Sequence, residues 1–208
     1  MKKQIAVFFV LVFFAASPAF SETLNLMTLP VTTGGGYYVG AVGGNIDGGA
    51  KANYYCDDFL TTSYVPGSFT VLVSSLSDIS KTKFVGADPA ETLKKYQQVG
   101  WLMSQLELNP VKVAAIQFAM WSVFTPSTPT FADSAAWLDA SARIDAASYD
   151  FSMMRIYTPI SGSNQEFIGG KVTVVPEPAE WLLLFMGLGF ISYAVYRKRG
   201  QILPQTSV

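Results

Sequence analysis

The sequence predicts an α+β fold: a β-sandwich or β-barrel-like sheet with an inserted helical block, followed by a C-terminal transmembrane helix. Three observations carry that expectation. Residues 24–74 run as β-branched and aromatic stretches separated by glycine-rich breaks. From Asp88 the apolar spacing becomes helical. Strand character then returns at 152–159 and 165–174. Strands, then helices, then strands indicate α+β rather than alternating βαβ units.

Each element has a local cause. Leu24 to Val31 form the first strand, and Gly34-Gly35-Gly36 breaks it. Tyr37 to Val42 read as one strand. Gly43-Gly44-Asn45 and Asp47-Gly48-Gly49 supply turn chemistry around Ile46. Asn53 to Leu60 are extended and carry Cys56; Phe69 to Ser74 are β-rich. Asp88-Pro89-Ala90-Glu91 starts a helix, with Asp at the N-cap, Pro at the first helical position and Glu at the third. It runs to about Leu106, with Leu93, Tyr96, Val99 and Met103 near one face. Asn109-Pro110 repeats the signal for a helix ending near Phe124, before Pro126. A third starts at Asp133 or Ser134 and includes Trp137, Leu138 and Ile144.

Both ends read as addresses. Residues 1–21 have a basic start at Lys2-Lys3, an apolar stretch from Ile5 to Ala16, and small residues in Ala19-Phe20-Ser21. That is a signal peptide, which implies the Sec translocon and signal peptidase, with Glu22 starting the mature chain. At the other end come Pro176, Glu177 and Pro178, an apolar run over 179–196 interrupted only by Glu180, and then Arg197, Lys198 and Arg199. The run is at the short end of what spans a bilayer, because a helix rises about 1.5 Å per residue against a core of about 30 Å. The basic cluster puts residues 201–208 in the cytoplasm.

The order Pro-Glu-Pro, apolar segment, basic cluster resembles the PEP-CTERM sorting signal of Gram-negative, exopolysaccharide-producing bacteria. The resemblance implies an exosortase as partner and an inner-membrane-anchored precursor delivered to the cell surface or extracellular matrix. Such signals usually end soon after the basic residues, whereas here Gly200 to Val208 continue. The chain divides into a signal peptide (1–21), an ectodomain (22–172), a sorting signal (173–200) and a cytoplasmic tail (201–208).

Composition narrows the chemistry. Residues 22–176 hold nine basic and thirteen acidic residues, a net charge of −4. No basic stripe is present, so nucleic-acid binding is not expected. The chain has no histidine. That excludes Ser-His-Asp and Cys-His catalysis and His-ligated metal. Asp47 among glycines is too little for a calcium loop, and no cofactor is expected. A hydrolase using Asp57 and Asp58 is disfavoured, because adjacent strand residues point to opposite faces.

The single cysteine, Cys56, lies in Tyr54-Tyr55-Cys56-Asp57-Asp58-Phe59. Gln117 is a polar residue in an apolar helix, four residues before Trp121 and on the same face. On the residues alone, Cys56 is a buried inert thiol, an intermolecular bridge or a reactive group. Gln117 satisfies a neighbouring backbone group or reacts. The Cys56 segment and Ile116-Gln117-Phe118-Ala119-Met120-Trp121 together resemble the Cys–Gln thioester domains of surface adhesins. That resemblance implies a thioester between Cys56 and Gln117, shielded by Tyr55, Phe118 and Trp121, that attaches the protein to an amine of a surface protein or to a polysaccharide hydroxyl. It implies one reaction per molecule rather than an enzyme. Asp57 and Asp58 read as solvated strand-end carboxylates, with assistance in proton transfer by one or the other as the alternative. The rival to the whole reading is a non-reactive structural or binding component of the exopolysaccharide matrix.

Overall fold

The computed structural model describes residues 21–175 and 178–200. The expected signal peptide up to residue 20, Pro176, Glu177 and residues 201–208 lie outside the described residues. In chain order the strands are β1 (Ser21–Thr28), β2 (Thr32–Gly34), β3 (Tyr37–Val39), β4 (Val42–Ile46), β5 (Ala52–Cys56) and β6 (Gly67–Ser74). The helical block follows as α1 (Pro89–Leu108), a 3-10 turn (Pro110–Lys112), α2 (Val113–Phe124) and α3 (Ser134–Ala142). Then come β7 (Tyr149–Asp150), β8 (Arg155–Pro159), β9 (Phe167–Gly169), β10 (Thr173–Val174) and α4 (Pro178–Gly200).

Six strands close an antiparallel barrel in the order β1-β4-β5-β9-β8-β6. The β2–β3 and β7–β10 pairs form two small ribbons. The pleat divides the core in two. Tyr54 and Cys56 of β5, Tyr157 of β8 and Phe167 of β9 pack in one cluster with Leu24, Leu26 and Val71. Their chain neighbours Tyr55, Ile156 and Ile168 belong to the other, against Tyr96, Leu102 and Met103 of α1 and Ile116 and Met120 of α2. One face of the strands therefore fills the barrel and the other receives the helices.

The helix start at Asp88 follows from its side chain, which accepts from Ala90 N at 2.9 Å and Glu91 N at 3.2 Å. The second start differs from expectation. After Asn109 the chain makes a 3-10 turn before α2 begins at Val113. Ile144 falls beyond the end of α3.

Two other differences concern backbone. The strand expected over Tyr37–Val42 is broken at Gly40, whose φ is +96°. The turn expected at Gly43-Gly44-Asn45 is strand β4 instead. Here glycine serves close approach rather than a bend: a Cβ on Gly44 would collide with the Asn25 carbonyl of the paired β1.

A helix does form over the C-terminal apolar run. Among the described residues, however, no helix is long and apolar enough to cross a membrane. The described side chains of this helix include large, exposed apolar ones such as Leu184, Phe190 and Ile191.

Gly44→Ala is expected to destabilise the barrel by about 1–3 kcal/mol through overpacking against β1. Urea denaturation followed by far-UV circular dichroism measures it, and an unchanged midpoint would contradict the close-approach account.

Candidate functional site

Gln117 is 1% exposed in the middle of α2. An amide buried that deeply needs partners for both ends. Its Nε2 donates to the Cys56 carbonyl at 2.6 Å, and its Oε1 accepts from Gly40 N at 3.3 Å. The carboxamide thus bridges the end of β5 and the break between β3 and β4. Gly40 makes the approach possible, since a Cβ there would lie 2.8 Å from Val113 Cγ1 on α2.

Cys56 and Gln117 line one cavity of about 190 Å³. Cys56 is a free cysteine and is 8% exposed. Its thiol donates to the Asp58 carbonyl at 3.0 Å. Burial, and then the Asp57 carboxyl, push the thiol's pKa well above its ordinary value. The protonated thiol is the favoured form, so juxtaposition rather than a standing thiolate must carry any attack.

Aromatic rings wall the cavity. Trp121 stands 5.1 Å from Phe118, 5.3 Å from Phe59 and 5.9 Å from Tyr37, centroid to centroid. Tyr37 and Phe59 are also in contact, at 5.3 Å. The Trp121 indole N–H is buried with no acceptor in hydrogen-bond geometry. It lies near enough to the Cys56 sulfur to oppose the rise in the thiol's pKa. The cavity lining carries neither a carboxylate nor an ammonium group.

Two expectations need correction. Tyr55 does not shield this cavity. Its side chain packs in the helix-facing core, where the hydroxyl donates to Glu107 Oε1 at 3.4 Å. Burial, then Glu107, push its pKa up to about 12. Strand alternation is the reason: Tyr55 and Cys56 are neighbours and so face opposite ways. Asp57 and Asp58 are not solvated either. They are 0% and 1% exposed. Asp58 pairs with Lys83, and its Oδ1 accepts from Leu60 N at 3.1 Å. Neither Asp57 oxygen has a hydrogen-bond partner among the described residues.

Glu166 joins these carboxylates and had no sequence signal, being one acidic residue before a short strand. It is fully buried and accepts from the Tyr96 hydroxyl at 2.6 Å, from Lys83 N at 2.8 Å and from the Thr158 hydroxyl. Gly40, Tyr37, Phe59 and Lys83 were equally silent as site residues. Of the sorting-signal residues, Pro178, Arg197, Lys198 and Arg199 lie on α4. Among the described residues, no group of His, Cys, Asp or Glu is arranged to hold a metal ion.

No known family and no curated protein matches this sequence. Solved structures do align with this one. The N-terminal thioester domain of a surface protein from Clostridium perfringens aligns with a TM-score of 0.45 at 12% identity, over 73% of this chain and 99% of that one. The N-terminal thioester domain of fibronectin-binding protein SfbI from Streptococcus pyogenes aligns at 0.43 and 13%, over 81% and 100%. The N-terminal domain of the Streptococcus pyogenes pilus tip adhesin Cpa aligns at 0.44 and 13%, over 78% and 97%.

Burial, then the Glu166 and Asp58 carboxylates, hold the Asp57 carboxyl well above the usual range, while Lys83 opposes them. A carboxyl raised on folding supports the fold fully below its unfolded pKa, about 3.9, and that support is lost as pH rises toward the folded value. Stability is therefore expected to decline above about pH 4, and Asp57→Asn to flatten that decline. Urea midpoints measured from pH 4 upward test it, and identical slopes in the two proteins would contradict it.

Proposed function

We propose that this is an exported surface or extracellular-matrix protein that attaches itself covalently through an internal thioester between Cys56 and Gln117. One observation carries the reading: the Gln117 carboxamide is hydrogen-bonded to the backbone of Cys56, and both residues line the same aromatic-walled cavity. A buried glutamine with a purely structural role has no need of a nucleophile beside it.

The chemistry balances without a histidine. Cys56 sulfur attacks the Gln117 side-chain carbonyl carbon, the C–N bond breaks, and the thiol proton leaves with the nitrogen as ammonia. The Gly40 N–H already donates to the oxygen on which negative charge develops. Tyr37, Phe59 and Trp121, which line the cavity, exclude water and slow hydrolysis. A partner's amine or hydroxyl then attacks the same carbon, forms an amide or ester, and returns the thiol to Cys56. Each molecule reacts once. The tail over 173–200 serves, in this proposal, as a sorting signal for exosortase processing.

Intact-mass measurement tests the thioester. The protein is expected to weigh one ammonia less than its sequence and to gain one methylamine on treatment with that amine. Cys56→Ala and Gln117→Ala should each abolish both effects; a full-mass protein with an alkylatable thiol would refute the proposal. For the tail, mature surface material is expected to end near residues 176–178. Recovering peptides from 181–208 in that material would refute processing.

A further inference from the structure

Beyond the end of β5, an amine and three carboxyl groups are held together. Lys83, in the turn region before α1, is only 25% exposed at its side chain. Its ammonium contacts Asp58 Oδ2 and donates to the Thr61 hydroxyl at 2.6 Å. The Asp58 side chain is 1% exposed, and its second oxygen accepts from Leu60 N at 3.1 Å. Glu166 accepts the backbone N–H of Lys83 itself at 2.8 Å. Asp57 interacts electrostatically with Glu166, Asp58 and Lys83. It is fully buried, and neither of its oxygens has a hydrogen-bond partner among the described residues.

As a plain ion pair this set is poorly balanced. One ammonium faces three buried carboxyl groups, and an unpartnered buried polar group destabilises the fold. As a condensation site each part has a use. Lys83 is a nucleophile touching an acyl group. The Leu60 N–H polarises the oxygen that would remain as the amide carbonyl. Asp57, held as the neutral acid, is free to move a proton because nothing else holds it.

We infer that Lys83 Nζ and Asp58 Cγ become joined by an intramolecular amide bond, with Asp57 as the acid–base group. Proton transfer from the ammonium to the Asp58 carboxylate leaves a neutral amine and a neutral acid, the form that burial favours. The nitrogen lone pair attacks Cγ. Asp57 gives its proton to the departing Asp58 oxygen and takes one back from the nitrogen. The C–O bond breaks and one water leaves. Ammonium and carboxylate have become amide and water, with no oxidant or co-reactant, and Asp57 ends as it began. The bond closes residues 58–83 into a loop and pins Phe59 and Thr61, which line the cavity. The step needs neither Cys56 nor Gln117, so it stands or falls apart from the thioester.

The test uses the full-length Cys56→Ala protein, in which no ammonia can be lost through a thioester. Intact mass is expected to be one water low. Tryptic digestion after denaturation should leave Lys83 uncleaved, in a branched peptide whose fragmentation places the link at Asp58. Lys83→Arg keeps the positive charge but cannot make this bond, so it should restore full mass with an unchanged circular dichroism spectrum. Asp57→Asn should fold and remain unlinked. A full-mass protein cleaved after Lys83 into linear peptides would reduce the contact to an ion pair and overturn the proposal. A branched peptide that persists in Asp57→Asn would overturn the role given to Asp57.

Discussion

The buried carboxamide of Gln117 is the constraint on which the site depends. An amide in an apolar helix core must find a donor and an acceptor or destabilise the fold. It finds Gly40 N–H on one side and the Cys56 carbonyl on the other. Those two bonds tie α2 to separate segments of the barrel wall. A net hydrogen bond contributes only about 1 kcal/mol. The penalty for leaving either end unpaired is what makes the arrangement specific. The helical block is thereby seated with the glutamine beside the only cysteine in the chain.

Two unlike environments meet at the end of the strand that carries Cys56. One is an aromatic cavity without charge. The other, beyond the strand's end, is a buried group of Asp57, Asp58, Glu166 and Lys83. Adjacent residues on extended backbone face opposite ways, so a single peptide step divides the sulfur from the carboxyl. The two sides still interact: the Asp57 carboxyl helps to push the Cys56 thiol upward. Any change in the charge of the acidic group is felt at the sulfur. The loop after β5 adds a mechanical link, since Asp58 faces Lys83 while Phe59 faces Trp121.

Much of the secondary structure was legible because its causes are local. Asp88 and Pro89 start α1 through a cap that three residues specify. Gln117 and Trp121 share a helix face by spacing alone. The glycine run at 43–44 was misread because glycine has two uses, and only the partner strand shows which applies. Tyr55 was assigned to the wrong side although the alternation rule was sufficient to place it. Asp57 and Asp58 were read as solvated because single carboxylates at strand ends usually are. Their burial depends on Lys83 and Glu166, which are 25 and 108 residues away from Asp58 in the chain.

By itself the sequence determined the class of fold, the start of α1 at its Asp88-Pro89 cap, the absence of histidine, and the choice of Cys56 and Gln117 as the residues of interest. Those follow from residue type and short-range spacing. Closure of the barrel, the aromatic wall around the cavity and the gathering of Lys83 with three carboxyl groups were decided only by tertiary structure. Each requires residues far apart in the chain to meet, and neither period nor propensity encodes which distant segments will share a wall.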